Sequence, residues 1–140
     1  MAESSINRRD FLEKGAKISA GCLLLGAMAS CNVEPEKVMG TIGELNTAGY
    51  LTVRFNGSKA HACYLDGELV VMSLICRHKK CTVKWEEAEQ AFYCPCHEGT
   101  YDKEGNVLSG PPKEPLRRFR HEVRGDTIVV LNEFIAQGTE

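Results

Sequence analysis

Six side chains able to bind a metal crowd into one short stretch of this chain, and they restrict its fold more than any other feature. They read Cys76-x-His78-x-x-Cys81 and, after a gap, Cys94-Pro95-Cys96-His97. Such a cluster signals a metal site, a disulfide, or both. One reading is a mixed site that takes one cysteine and one histidine from each box. A zinc site is a second, since two cysteines with two histidines are a common zinc set. Zinc fingers, however, usually pair cysteine with cysteine and histidine with histidine, whereas Cys76-x-His78 and Cys94-x-x-His97 each mix one of each. The third reading is a disulfide scaffold without metal, which leaves the placement of the histidines without a reason. The stretch 76–115 is rich in Cys, His, Pro and Gly and short of apolar pattern, so it needs staples to hold its shape.

The rest of the chain supplies a frame. Its 140 residues suit one domain plus a short targeting segment, and 43% hydrophobic residues are enough for one compact core. A net charge of −2 gives no sign of nucleic-acid binding. The 13 Gly and five Pro lean towards strands and turns. Residues 32–38 read as a polar linker, 39–135 as the folded domain and 136–140 as a tail. From Met39 the period shifts towards two, and no long amphipathic helix is predicted after residue 38. Residues 50–55 alternate apolar and polar as a half-buried strand, closed by Asn56-Gly57. A second strand is predicted over 61–65, closed by Asp66-Gly67, and a fully buried one over 69–75. Residues 120–123 and 127–131 flank Gly125-Asp126 as a hairpin. Glu86, Glu87 and Glu89 read as a solvated hairpin tip. Trp85, Phe92 and Tyr93 read as core, Cys63 as a small buried apolar residue, and His61 and His121 as surface residues on alternating strands.

Residues 1–31 read as an address. Asn7-Arg8-Arg9-Asp10-Phe11-Leu12 resembles the twin-arginine export signal, with Asn7 and Glu13 departing from its first and last positions. The uncharged run 18–29 spans roughly 18 Å as a helix, short of the roughly 30 Å hydrocarbon core. It suits a signal peptide better than a membrane span, with an uncleaved anchor as the alternative. Met28-Ala29-Ser30-Cys31 resembles the bacterial lipobox, which implies Cys31 as a lipid anchor; ordinary cleavage after small residues is the plainer reading. Cys22, inside the apolar run, has no role assigned. The twin-arginine route carries folded proteins, as a chain loaded with a cofactor before export requires.

The order and spacing of the two boxes closely resemble the Rieske [2Fe–2S] family, and Cys94-Pro95-Cys96-His97 matches its second box letter for letter. Gly110-Pro111-Pro112 resembles the family's proline loop. The resemblance covers roughly residues 38–135. It implies an all-β Rieske fold of stacked antiparallel sheets, with a small cluster-binding subdomain at about 75–115. It implies one [2Fe–2S] cluster per chain, with Cys76 and Cys94 on the buried iron and His78 and His97 on the outer iron. It also implies a disulfide between Cys81 and Cys96, for which an oxidising compartment is needed. Neutral imidazoles in place of two thiolates remove negative charge and favour the reduced state. Rieske centres as a class are known to span roughly −150 to +300 mV, against about −400 mV for plant-type all-cysteine clusters.

The resemblance also locates the residues around the cluster. Tyr101 matches a Tyr whose hydroxyl bonds a cysteine sulfur, and Gly99 stands where high-potential members carry a Ser that bonds a bridging sulfide. Thr100, one place along, is a candidate substitute. Gly110 and Pro111 are assigned to the loop beside the cluster. In the first box, Lys79 replaces the Leu of quinol-oxidising members, and with Arg77 and Lys80 it makes the tip positive.

The function implied is one-electron transfer, by a carrier or an electron-transfer subunit of an extracytoplasmic oxidoreductase tethered to a membrane, rather than by an independent enzyme; no catalytic residue is assigned. Its partners would be redox proteins, a cytochrome or an oxidoreductase subunit. The alternatives are the iron–sulfur subunit of a cytochrome bc-type quinol–cytochrome c reductase, and a non-redox binding module. The seven-residue linker reaches at most about 25 Å, which limits travel of the domain.

Overall fold

The computed structural model describes residues 33–136. Arg8, Arg9, Cys22 and Cys31, with the rest of the address, therefore lie outside the described residues, as do 137–140. Ten strands and one short helix follow in order. They are β1 (Glu36–Thr41), α1 (Ile42–Ala48), β2 (Tyr50–Phe55), β3 (Ser58–Leu65), β4 (Glu68–Ser73), β5 (Lys84–Glu86), β6 (Ala91–Cys94), β7 (Gly99–Asp102), β8 (Val107–Ser109), β9 (Phe119–Arg124) and β10 (Thr127–Phe134). All pairings are antiparallel, in three sheets ordered β1-β10-β9, β2-β3-β4 and β5-β6-β7-β8. The all-β architecture predicted above is thus found. β1 already pairs with β10 at Glu36, inside the stretch read as linker.

The turns follow from local chemistry. Asn56 and Gly57 have φ of 47° and 76°, and Asp66 and Gly67 have 50° and 86°. Both pairs take the positive φ that a two-residue type I′ hairpin requires at its two central positions. They fix the register Phe55↔Ser58 and Leu65↔Glu68.

α1 was not predicted, yet it carries both end signals. Thr41 Oγ1 accepts the Glu44 N–H at 3.1 Å, and the Glu44 carboxylate accepts the Thr41 N–H at 2.7 Å, a reciprocal capping box. Gly49 closes it in the left-handed region, its N–H donating to the Leu45 carbonyl. Its one buried side chain, Leu45, holds α1 on the core.

The middle sheet β2-β3-β4 is covered on both faces. On one side Ala60, Ala62 and Val71 join Met39, Leu45, Phe55, Phe119, Ile128 and Val130 in a core shared with β1, β9 and β10. On the other, Val70, Met72 and Leu74 pack with Val83, Phe92, Tyr101 and Leu116 of the cysteine-rich region. This explains the near-continuous apolar run after Glu68: successive residues of β4 point to opposite faces, and neither face meets water. Burying each such aliphatic side chain contributes roughly 1.5–3 kcal/mol.

The same arrangement corrects His61. It is 1% exposed, because the face of β3 that alternation assigned to water is covered by Trp85 and Phe92, at 5.7 and 5.1 Å between ring centroids. Its Nδ1 pairs with Thr52 Oγ1 at 3.0 Å, and burial lowers its pKa to about 4. His121 is half-buried rather than exposed. Cys63 is a free, half-buried thiol against the same core, pushed up in pKa by burial. Phe92 is fully buried and Trp85 and Tyr93 are half-buried.

Candidate metal centre

Two loops leave one end of the four-stranded sheet region. The first, 76–81, closes on itself: the Cys76 N–H donates to the Cys81 carbonyl at 2.8 Å, and the Lys80 N–H donates to the Cys76 carbonyl at 3.1 Å. Lys80 takes φ of 60° to make this turn. The second, 95–98, joins β6 to β7, which pair from Cys94↔Gly99 onward. A disulfide between Cys81 and Cys96 clamps the two loops together, with Cα atoms 6.5 Å apart.

This clamp leaves Cys76 and Cys94 free, at 3% and 1% exposure. Cys81, Cys94 and Cys96 also lie close together. That trio is not a ligand set, since two of its sulfurs are bonded to each other and only a thiolate binds metal. Burial pushes the Cys76 thiol up. The Tyr101 hydroxyl, the His78 and Lys79 N–H groups and the Cys94 thiol outweigh that effect and leave Cys76 below its ordinary pKa. Burial and the neighbouring Cys76 raise Cys94, against the N–H groups of Cys96 and His97. His78 and His97 lie exposed at the loop tips, their rings edge to face at 4.9 Å between centroids.

Tyr101, on β7, is fully buried, and its hydroxyl meets Cys76 Sγ at 3.3 Å. Gly99 is buried, and a Cβ there would stand 3.0 Å from the Pro112 ring. Pro112 therefore fills the space beside Gly99, while Pro111 is only half-buried. Gly110 packs its Cα face on the backbone of Glu98 and Gly99: a Cβ would meet Gly99 Cα at 2.7 Å, and φ is 90°. This close approach brings a third loop, 110–114, against the other two.

Thr100 does not fill the place left by Gly99. It points to the opposite face of β7 from Tyr101, where its hydroxyl meets Ser109 Oγ at 2.7 Å. An ion pair between Arg77 and Glu114 also fastens the third loop. No sequence signal marks Glu114, and Pro112 is marked only as part of the Gly110-Pro111-Pro112 run. The Gly-Pro-Pro run pointed to the loop, but nothing local pairs side chains 37 residues apart.

The residues present fit a mixed nitrogen-and-sulfur centre. Two thiols sit buried and unoxidised next to a disulfide that has formed, and two exposed imidazoles from the same two loops face one another. Each box contributes one soft and one borderline donor, a set that suits iron–sulfur chemistry.

Comparison with known proteins agrees. The family model for the Rieske [2Fe-2S] domain matches residues 36–120. The cytochrome b6-f complex iron-sulfur subunit of Chlorobaculum tepidum is 31% identical over 137 residues, covering 88% of this chain and 74% of that one. The same subunit of Chlorobaculum thiosulfatiphilum is 30% identical over 95 residues, 68% of this chain; the match spans about half of that protein, 52%. Among solved structures, the plasma membrane Rieske protein of Synechocystis PCC 6803 superposes with a TM-score of 0.58 at 28% identity, over 67% of this chain and 97% of that one.

Proposed function

This chain belongs to the Rieske [2Fe–2S] domain family, and from that membership we propose that it is an exported, membrane-tethered electron carrier or electron-transfer subunit of an oxidoreductase. In this reading Cys76, Cys94, His78 and His97 hold one [2Fe–2S] cluster. When bound, the cluster supplies a one-electron redox step at a potential raised by its two neutral imidazoles.

The observation that carries the reading is the pair of buried free thiols beneath two facing, exposed imidazoles. The chain's own residues divide the work. Cys76 and Cys94 sit in the dry core, the disulfide fixes the distance between their loops, and Tyr101 holds a hydroxyl against one thiol. His78 and His97 offer the exposed edge through which a partner would be approached.

A second reading has one observation in its favour. Two of the relatives are iron–sulfur subunits of cytochrome b6-f complexes. This chain would then be the iron–sulfur subunit of a quinol-oxidising complex. Lys79, where a Leu shields the cluster in such subunits, argues for the carrier. Co-purification with a cytochrome b would favour the complex.

The cofactor is tested by iron and sulfide analysis of anaerobically purified protein and by EPR after reduction. Iron and sulfide near two each per chain are expected, and a colourless chain holding zinc or nothing overturns the reading. Export and anchoring rest on the sequence at Arg8, Arg9 and Cys31. Among the described residues no helix is long and apolar enough to cross a membrane. Arg8→Lys with Arg9→Lys should keep the chain in the cytoplasm, and Cys31→Ala should release it from membranes.

A further inference from the structure

We propose that the loops around His78 and His97 form a positively charged docking face for a redox protein whose own cofactor is rimmed by carboxylates. The inference rests on the electron-transfer reading above and specifies the chemistry of the partner.

The loops 76–81, 94–98 and 110–114 carry Arg77, Lys79, Lys80 and Lys113 against Glu98 and Glu114. Arg77 and Glu114 neutralise one another. Lys79, Lys80 and Lys113 are exposed, and none of them takes part in an ion pair seen among the described residues. The three loops are held as one surface by the Cys81–Cys96 disulfide, the Arg77–Glu114 pair and the seating of Gly110 on Gly99. Elsewhere the chain has the opposite sign, since its overall charge is negative. The contrast is built into one sheet. β6 ends at Cys94, where the second of these loops begins, and starts at Ala91, opposite Glu86 of β5 and next to the turn that carries Glu87 and Glu89. A partner with an acidic rim is therefore attracted to the histidine end and repelled from the far end. Such complementarity acts on encounter rate and orientation, and salt weakens it.

The test uses two forms of one probe on the cluster-loaded protein: a basic cytochrome c, and the same protein succinylated so that its surface is acidic. Affinity is read by calorimetry, electron transfer by stopped flow, and contact sites by carbodiimide cross-linking with peptide mapping. The acidic form should bind and be reduced roughly tenfold or more faster at low ionic strength, converging on the basic form at high salt. Its cross-links should map to Lys79, Lys80 or Lys113. Lys79→Glu with Lys113→Glu should abolish the preference, whereas Lys37→Glu with Lys103→Glu, an equal change of net charge, should preserve it. Equal affinity and rate for both forms, or cross-links confined to other lysines, overturn the docking face while leaving the electron-transfer reading intact. A chain that carries its cluster yet reduces neither form overturns both.

Discussion

Tyr101 accepts the backbone N–H of Arg77 at 3.0 Å on the same hydroxyl that meets Cys76 Sγ at 3.3 Å. The N–H occupies a lone pair of that oxygen, which leaves its proton for the sulfur. Burial and the neighbouring Cys76 raise the phenol's pKa, so it remains a donor at any ordinary pH. Tyr101→Phe removes that donor. A hydrogen bond to a charged acceptor contributes about 1.5–3 kcal/mol. If the full amount depends on redox state, the cluster potential falls by roughly 60–130 mV. EPR-monitored redox titration measures this, and an unchanged potential would mean that the hydroxyl does not touch a ligand of the cluster.

Gly99 gives a converse experiment. Gly99→Ser restores a hydroxyl where high-potential relatives of the family carry one, and its Cβ presses on the Pro112 ring at 3.0 Å. The expected outcome is a higher potential together with a lower melting temperature, as Pro112 is displaced by a few tenths of an ångström. Gly99→Ala should show the same melting loss without the gain in potential, which separates the hydroxyl from the crowding.

The disulfide closes a loop between residues 15 apart in sequence. Loop-closure entropy puts its contribution at about 3 kcal/mol. Cys81→Ser with Cys96→Ser should lower the midpoint of chemical unfolding accordingly and hasten cluster loss, followed by visible absorbance. Equal unfolding midpoints and bleaching rates for variant and parent would show that the Arg77–Glu114 pair and the Gly110 contact suffice.

His61 makes stability depend on pH. Its folded pKa of about 4 lies below the ordinary value of 6.5, so the unfolded chain takes up a proton first. The native state is favoured in full above about pH 6.5. That advantage is lost progressively as the pH falls towards about 4, at about 1.4 kcal/mol per unit and up to roughly 3 kcal/mol in all. Denaturant titrations of the oxidised protein across this window should show the slope. In His61→Asn the slope should flatten, whatever its stability at neutral pH.

Where local chemistry decided the structure, the sequence was readable. Asn56-Gly57 and Asp66-Gly67 announce their hairpins because few other residues tolerate two successive positive φ angles. The pairing of one Cys with one His in each box pointed to a mixed site for a chemical reason, the choice of donors. Helix α1 was hidden by its length: seven residues do not establish a period, although Thr41, Glu44 and Gly49 are the signals that mark its ends. His61 was misplaced because alternation along a strand says which residues share a face and not whether that face is wet. Strands β5 and β8 are three residues each and mostly exposed, paired to β6 and β7 with only Trp85 and Val107 packed on the core, too short for an apolar alternation to show. The Pro112 contact and the Arg77–Glu114 pair are products of loop meeting loop, which no local signal records.

Trp85 is the only tryptophan in the sequence, and it stands where the middle sheet meets the sheet that bears the cysteines, 4.8 Å from Phe92 and 6.4 Å from Tyr50 between ring centroids. The chain thus carries its single indole fluorophore on the seam between the middle sheet and the four-stranded one. Its emission can report whether the outer layer peels away before the rest unfolds, with no label attached.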